Sequence, residues 1–142
     1  MTETEGREFP KRFTVTIKAA PRVGGMYWCA FHDERHIHLP EMWKVRPVVV
    51  VSRKNNLRGK VTVLPFSTSD RNESGEFAFE VSAETRKIVD HERTWVLCDH
   101  PCTVATSRLS QIKGAVPRMP GDELADVLRL MLKSLAAPLS SP

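Results

Sequence analysis

The sequence lacks the features that mark secreted and membrane proteins. Its three cysteines are an odd set without a Cys-X-X-Cys pair, so no disulfide framework is expected and a reducing compartment is the natural setting. No apolar run approaches the ~20 residues of a membrane span, and charges occupy the N-terminal region where a signal peptide would have its apolar core. We therefore expect a cytoplasmic protein that does not associate with membranes.

Repeats, low-complexity blocks and interior linkers are also missing from the 142 residues. This length suits one domain, and 41% hydrophobic with 27% charged residues is typical of a soluble globular protein. We predict a loosely docked N-terminal extension over residues 1–22, a folded domain over 23–137 and a tail over 138–142. The formal charge of +4 and the isoelectric point of about 9.2 favour a polyanionic partner.

Four consecutive valines between Pro47 and Ser52 form the centre of the predicted fold. The run is too short for a helix, and β-branched side chains favour an extended backbone, so it predicts a strand buried on both faces. Pro47 fits the first position of such a strand and restricts Arg46 to an extended conformation. Arg46 is then fixed at the mouth of the strand, where it can bind a phosphate or pair with a carboxylate.

Short apolar segments on both sides of the valine run predict a mainly β fold. Strands are expected at Met26–Phe31, Lys60–Leu64 (ended by Pro65), Phe77–Val81 and Thr94–Asp99, with weaker candidates at Thr103–Ala105 and Gly114–Val116. A helix is expected from Asp122 to about Ala137, because apolar side chains recur at helical spacing. Those side chains are Leu124, Val127, Leu128, Met131, Leu132 and Leu135. Several short strands followed by one amphipathic helix predict a small, strongly bent antiparallel barrel with the helix packed on it.

Polar side chains that could carry chemistry lie near the predicted strand ends. Arg46 precedes one strand, Ser67 and Thr68 follow another, and Asp99 ends a third. A guanidinium and hydroxyls can hold a phosphate, while a carboxylate or imidazole can take the proton of a ribose 2′-hydroxyl. The set suits RNA cleavage without a metal. The alternative is structural: the hydroxyls form a turn, and Asp99 accepts a turn hydrogen bond or pairs with Arg46.

Histidines and cysteines raise zinc binding as a further alternative. His32, His36 and His38 lie in one predicted loop, and Cys98 and Cys102 are separated by three residues. Structural zinc sites usually have tighter paired spacing and a second cysteine pair, which this sequence lacks. We therefore predict no metal and no other cofactor, and we interpret Cys98 as a small buried hydrophobe.

Four sequence blocks, in this order, resemble the PemK/MazF toxins of bacterial type II toxin–antitoxin systems. They are Gly24-Gly25-Met26-Tyr27-Trp28; Arg46-Pro47 with the valines and Ser52; Val63-Leu64-Pro65-Phe66-Ser67-Thr68; and Cys98-Asp99-His100-Pro101 with Thr103, then Ser107-Arg108-Leu109. The resemblance covers about 24–135. It implies an SH3-like, CcdB-like barrel and an endoribonuclease that cleaves single-stranded RNA to 2′,3′-cyclic phosphate and 5′-hydroxyl ends. It also implies a homodimer and a cognate acidic antitoxin.

Residue roles follow from the same resemblance. Arg46 matches the family's arginine, and Ser67 with Thr68 matches the family's Thr-Ser pair at the strand end. Asp99 falls on an aspartate that serves as general base in some members. The predicted RNA-binding residues are Arg46, Lys44 and Ser69.

One departure from the family concerns proton donation. PemK-type members place an arginine that acts as acid two positions before the aspartate, and here that position is Leu97. His36 or His38, in the loop that leads to Arg46, could take over the role. If no group does, the alternative function is a non-catalytic toxin or binding module that occupies a protein partner, as CcdB does with gyrase.

Overall fold

The central element of the fold is a seven-stranded antiparallel sheet, in a computed structural model that describes residues 11–136. The strands are β1 (Met26–Ala30), β2 (Val45–Val50), β3 (Lys60–Ser67), β4 (Ala78–Glu80), β5 (Trp95–Leu97), β6 (Cys102–Ala105) and β7 (Leu109–Ser110). The α-helices are α1 (Ala83–Arg86) and α2 (Gly121–Ser134), and short 3-10 helices span Asp70–Ser74 and Thr106–Arg108. The predicted tail and the start of the predicted extension lie outside the described residues, and α2 ends at Ser134, before the predicted end at about Ala137.

The strands follow the order β4-β5-β3-β2-β1-β7, and β6 also pairs with β3. β3 pairs with β2 along one edge, while its other edge pairs first with β6, as in Val63 opposite Cys102, and then with β5, as in Phe66 opposite Val96. Within residues 11–136 no ladder joins β4 to β7. The predicted mainly β, antiparallel fold with a C-terminal helix is therefore confirmed, whereas the closed barrel is not.

The valine strand is buried on both faces, as the sequence predicts. Val48, Val49 and Val50 are each 0% exposed. Because alternate side chains of a strand point to opposite faces, Val48 and Val50 pack in one apolar cluster and Val49 in another, to which Val127 of α2 also belongs. The core therefore has two layers with the sheet between them.

Two prolines lie inside strands, which the sequence did not predict. β3 continues through Pro65 to Ser67, because Pro65 lies between the stretches that pair with β6 and β5, where its missing N–H interrupts no ladder. Pro47 is the third residue of β2 and lies opposite Trp28 of β1. As a result, β2 and β3 extend to a common edge of the sheet, near Arg46 and Ser67.

Three details differ from expectation at the periphery. Gly114–Val116 forms no strand, and the last strand is the two-residue β7 instead. Leu132 and Leu135, expected on the apolar face of the helix, are 56% and 47% exposed. Ile17, from the predicted extension, is 4% exposed and packs in the core. The division into extension, domain and tail stays a prediction.

Helix length also bears on membranes. In the described part of the chain, no helix is long and apolar enough to cross a lipid bilayer.

Candidate functional site

A cleft of about 400 Å³ opens where the start of β2 adjoins the end of β3. We call it the Arg46 cleft. Its walls come from the loop before β2, from the 3-10 helix after β3 and from the end of β5. The polar side chains that line it are Glu41, Arg46, Ser67, Ser69, Arg71, Asn72 and His100. Its volume lies within the range of pockets that hold small ligands or parts of larger ones.

Arg46 is held in place by its own loop. Its Nε donates a hydrogen bond to the carbonyl oxygen of Trp43 at 2.9 Å. The side chain is half-buried, and this burial lowers the pKa of the guanidinium from its usual value, although the group stays charged. Among residues 11–136 it forms no ion pair, and its terminal amino groups make no hydrogen bond. The fork of donors is therefore available to an anion in the cleft.

The Ser67 hydroxyl lines the cleft and accepts two hydrogen bonds within the protein. Its Oγ accepts hydrogen bonds from Nδ2 of Asn72 at 2.9 Å and from the backbone N–H of Ser69 at 3.3 Å. A hydroxyl has two acceptor sites and one proton. Since both acceptor sites are engaged within the protein, the Ser67 proton is left to donate to a ligand.

The lining of the Arg46 cleft carries more positive than negative charge. Arg71 joins Arg46, and its Nε lies 3.5 Å from Oγ of Ser69. The lining has one carboxylate, that of Glu41, which accepts a hydrogen bond from the backbone N–H of His38 at 2.9 Å. Two guanidinium groups beside hydroxyls are the side chains that most often bind phosphate oxygens.

His100 lines the cleft together with Leu97, just after β5. Its side chain is 31% exposed, and its Nε2 lies 3.6 Å from Oδ1 of Asp99. The backbone N–H of His100 donates to the carbonyl oxygen of Leu97 at 3.2 Å, which closes a turn at the end of β5. That turn places the imidazole in the lining and leaves the Asp99 carboxylate outside it.

The structure brings together three of the predicted site residues, Arg46, Ser67 and Ser69. The predicted residues outside the lining are Thr68, Asp99, Lys44, His36 and His38. Asp99 contacts the cleft only through His100, and Thr68 is exposed between two lining residues. The roles assigned to all of these side chains stay predictions.

The other predicted residues lie on the loop before β2. His36 is exposed, and its Nδ1 lies 2.8 Å from Oδ1 of Asp33. His38 is exposed as well. The Nζ of Lys44 lies 4.4 Å from the centre of the Trp43 ring, a cation–π distance. Lys44 and the two histidines therefore lie on this loop without lining the cleft.

Sequence reasoning missed Arg71, Asn72 and His100 as site residues. Arg71 and Asn72 fall in a segment that reads only as a polar loop, and the short 3-10 helix after β3 turns them toward Arg46. His100 lies in the Cys98–Pro101 block that carried the family resemblance, so the sequence did offer a signal for it. In that block, however, the resemblance assigns a role to Asp99 and not to the neighbouring histidine.

Potential metal ligands do not cluster in the described part of the chain. No group of three His, Cys, Asp or Glu side chains in residues 11–136 could hold a metal ion. Cys98 is fully buried, as predicted, and this burial raises the pKa of its thiol to about 12. Sγ of Cys102 donates to the carbonyl oxygen of His100 at 3.3 Å. Among residues 11–136, the histidines and cysteines that suggested zinc binding therefore do not come together as a metal site.

Comparisons with known proteins match this architecture. The sequence profile of the PemK-like, MazF-like toxins of type II toxin-antitoxin systems matches residues 22–132. MazF from Deinococcus radiodurans is similar in structure, with a TM-score of 0.63 and 21% identity over 82% of this chain and 96% of that protein. An endoribonuclease from a mycobacterial species, in complex with its cognate antitoxin, gives a TM-score of 0.59 and 17% identity over 85% of this chain and 100% of that one. A comparison with curated proteins finds no match.

The two kinds of match carry different weight. At these identities the structural likeness establishes a shared fold, whereas the sequence profile spans most of the chain, including β1 through most of α2. The chain therefore belongs to the PemK-like, MazF-like toxin family of type II toxin–antitoxin systems.

Proposed function

We propose that this toxin is an endoribonuclease that cleaves single-stranded RNA without a metal ion. The observation that carries the proposal is the Arg46 cleft, whose lining includes both the Arg46 guanidinium and the Ser67 hydroxyl. A protein that recognises only another protein has no need for such a phosphate-binding pair. Membership of a family whose structural neighbours include an endoribonuclease supports the same activity.

The reaction we propose is an attack within the RNA strand. The ribose 2′-oxygen loses its proton and bonds to the adjacent phosphorus, while the bond from phosphorus to the 5′-oxygen breaks and that oxygen gains a proton. The products are a 2′,3′-cyclic phosphate and a 5′-hydroxyl. Arg46 and Ser67 would stabilise the negative charge that builds on the phosphoryl oxygens, and preorganised donors of this kind are usually the largest contribution to catalysis.

The direct test is incubation of the purified protein with an unstructured RNA in excess chelator. We expect cleavage at defined sites. Activity that disappears in chelator and returns with magnesium or zinc would contradict the metal-independent reaction.

Partners follow from charge and from exposed apolar surface. An acidic antitoxin would bind the basic protein, whose formal charge is +4, through a segment that orders on binding and crosses the RNA-binding cleft. A homodimer would cover exposed apolar side chains such as Leu132 and Leu135. The reducing cytoplasm fits the three free cysteines of the chain.

A non-catalytic toxin is the second candidate, and one observation favours it. Leu97, which cannot donate a proton, lies in the lining of the Arg46 cleft at the position where the family resemblance implies an arginine. Such a protein would bind its target without cutting RNA. The chelator experiment separates the two candidates, because only the endoribonuclease yields product.

A further inference from the structure

The lining of the Arg46 cleft includes one imidazole, that of His100. The four ionisable side chains of the lining are Glu41, Arg46, Arg71 and His100. A guanidinium does not release its proton in proteins, and a carboxylate serves as the proton acceptor of an acid–base pair rather than as the donor. Imidazole is the side chain that gains and loses a proton between pH 5 and 8. Proton transfer inside the cleft therefore points to His100.

We propose that His100 is the catalytic proton donor that protonates the departing 5′-oxygen of the cleaved RNA. This inference rests on the proposed function and assigns the acid that the reaction needs. His100 is half-buried and belongs to the same cleft lining as Arg46 and Ser67. A phosphate held by those two donors would share the cleft with the His100 imidazole.

Atoms and charges balance with the groups present. The 2′-hydroxyl gives its proton to the carboxylate of Glu41, the acidic side chain of the lining, and the 2′-oxygen bonds to phosphorus. The bond from phosphorus to the 5′-oxygen breaks, and the Nε2 or Nδ1 proton of the imidazolium passes to that oxygen. The enzyme returns to its starting state when Glu41 loses its proton to water and His100 takes one from water.

Asp99 is a positioning residue in this arrangement. Its Oδ1 lies 3.6 Å from Nε2 of His100, close enough to pair with a protonated ring. The charged groups around His100 are thus Asp99 at its side and the other ionisable members of the lining, the cations Arg46 and Arg71 and the carboxylate of Glu41. The nearby thiol of Cys102 donates a hydrogen bond to the backbone carbonyl of His100. Asp99 offsets the repulsion that the two arginines exert on an imidazolium.

The loop histidines are less suited to this role. His36 is exposed and pairs with Asp33, and neither His36 nor His38 lines the cleft. To reach a phosphate at Arg46, either ring would require the loop before β2 to move, whereas His100 is already in the wall.

The test uses the full chain and an RNA oligonucleotide that contains a cut site mapped with the parent protein. His100→Ala should lower the cleavage rate by about 100-fold or more, the usual contribution of a positioned acid, and should flatten the part of the pH–rate profile in which the rate falls as pH rises. Asp99→Asn should have a smaller effect on rate and shift that part of the profile. The matched control is His91→Ala, since His91 is exposed and lies outside the cleft.

A second substrate separates proton donation from any structural effect. In an oligonucleotide with sulfur in place of the bridging 5′-oxygen at the cut site, the leaving thiolate needs no proton. We expect His100→Ala to cleave this substrate at nearly the parental rate. A defect of equal size on both substrates, or a parental rate on the ordinary RNA, would overturn the role of His100. Absence of RNA cleavage by the parent would instead overturn the proposed function itself.

Discussion

At the scale of single residues, Arg46 is the side chain on which the proposed activity depends most. Its charge is fixed beside Ser67 by one hydrogen bond to Trp43, and no carboxylate among the described residues neutralises it. Arg46→Ala should lower RNA cleavage by about 10²–10³-fold, because it removes the donors that stabilise charge on the phosphate. Arg46→Lys should recover only part of the rate, since a lysine keeps the charge but not the planar fork.

A stability measurement shows whether Arg46→Ala loses activity because the donors are gone or because the protein unfolds. Arg46→Ala removes one hydrogen bond and should cost about 1 kcal/mol of unfolding free energy, measured by urea denaturation. Arg58→Ala is the control, because Arg58 is an exposed arginine outside the cleft. If Arg46→Ala retains the activity of the Arg58→Ala variant, Arg46 is structural and the cleft is not the site of cleavage.

At the scale of elements, a buried carboxylate joins α1 to α2. Glu123 of α2 is 8% exposed and accepts hydrogen bonds from the backbone N–H and Oγ of Ser82 and from Oγ1 of Thr85. Glu123→Ala would leave these donors without an acceptor, which we expect to cost about 2–3 kcal/mol of unfolding free energy. Asp126→Ala serves as the control, since Asp126 forms only an exposed pair with Arg129 and such pairs contribute little.

Urea denaturation of both variants checks this prediction. If Glu123→Ala lowers the unfolding free energy no more than Asp126→Ala does, α1 docks on the fold without help from the Glu123 carboxylate.

Elements also show how far the sequence could predict this structure. The valine strand and α2 were predictable because β-branched runs and helical spacing are local signals. The passage of β3 through Pro65 was not, since it depends on which of two partner strands lies beside that residue. The same limit applies to the site. Arg46 and Ser67 could be predicted from sequence motifs, whereas Arg71 and His100 join Arg46 in the cleft only because segments far apart in the sequence pack together.

At the scale of the whole molecule, we expect the protein to be a homodimer. Leu132 of α2 and Leu135 just after it are about half exposed, and β4 and β7 each have one neighbouring strand in the described sheet. Apolar side chains and open sheet edges of this kind favour association. Light scattering at micromolar concentration should give twice the chain mass of 16.1 kDa. A mass of one chain would mean that these surfaces stay exposed in the free toxin.

The central claim is that the Arg46 cleft cleaves RNA by attack of the RNA's own 2′-hydroxyl on the adjacent phosphate. The chemical nature of the product ends tests this claim most directly. The measurement is mass spectrometry of the fragments formed in excess chelator from an RNA oligonucleotide and from the same strand with a single 2′-deoxy sugar at the cut site. We predict a 2′,3′-cyclic phosphate and a 5′-hydroxyl from the RNA, and no cleavage of the 2′-deoxy strand at that position. A 5′-phosphate on the fragments, or cleavage of the 2′-deoxy strand, would contradict the account.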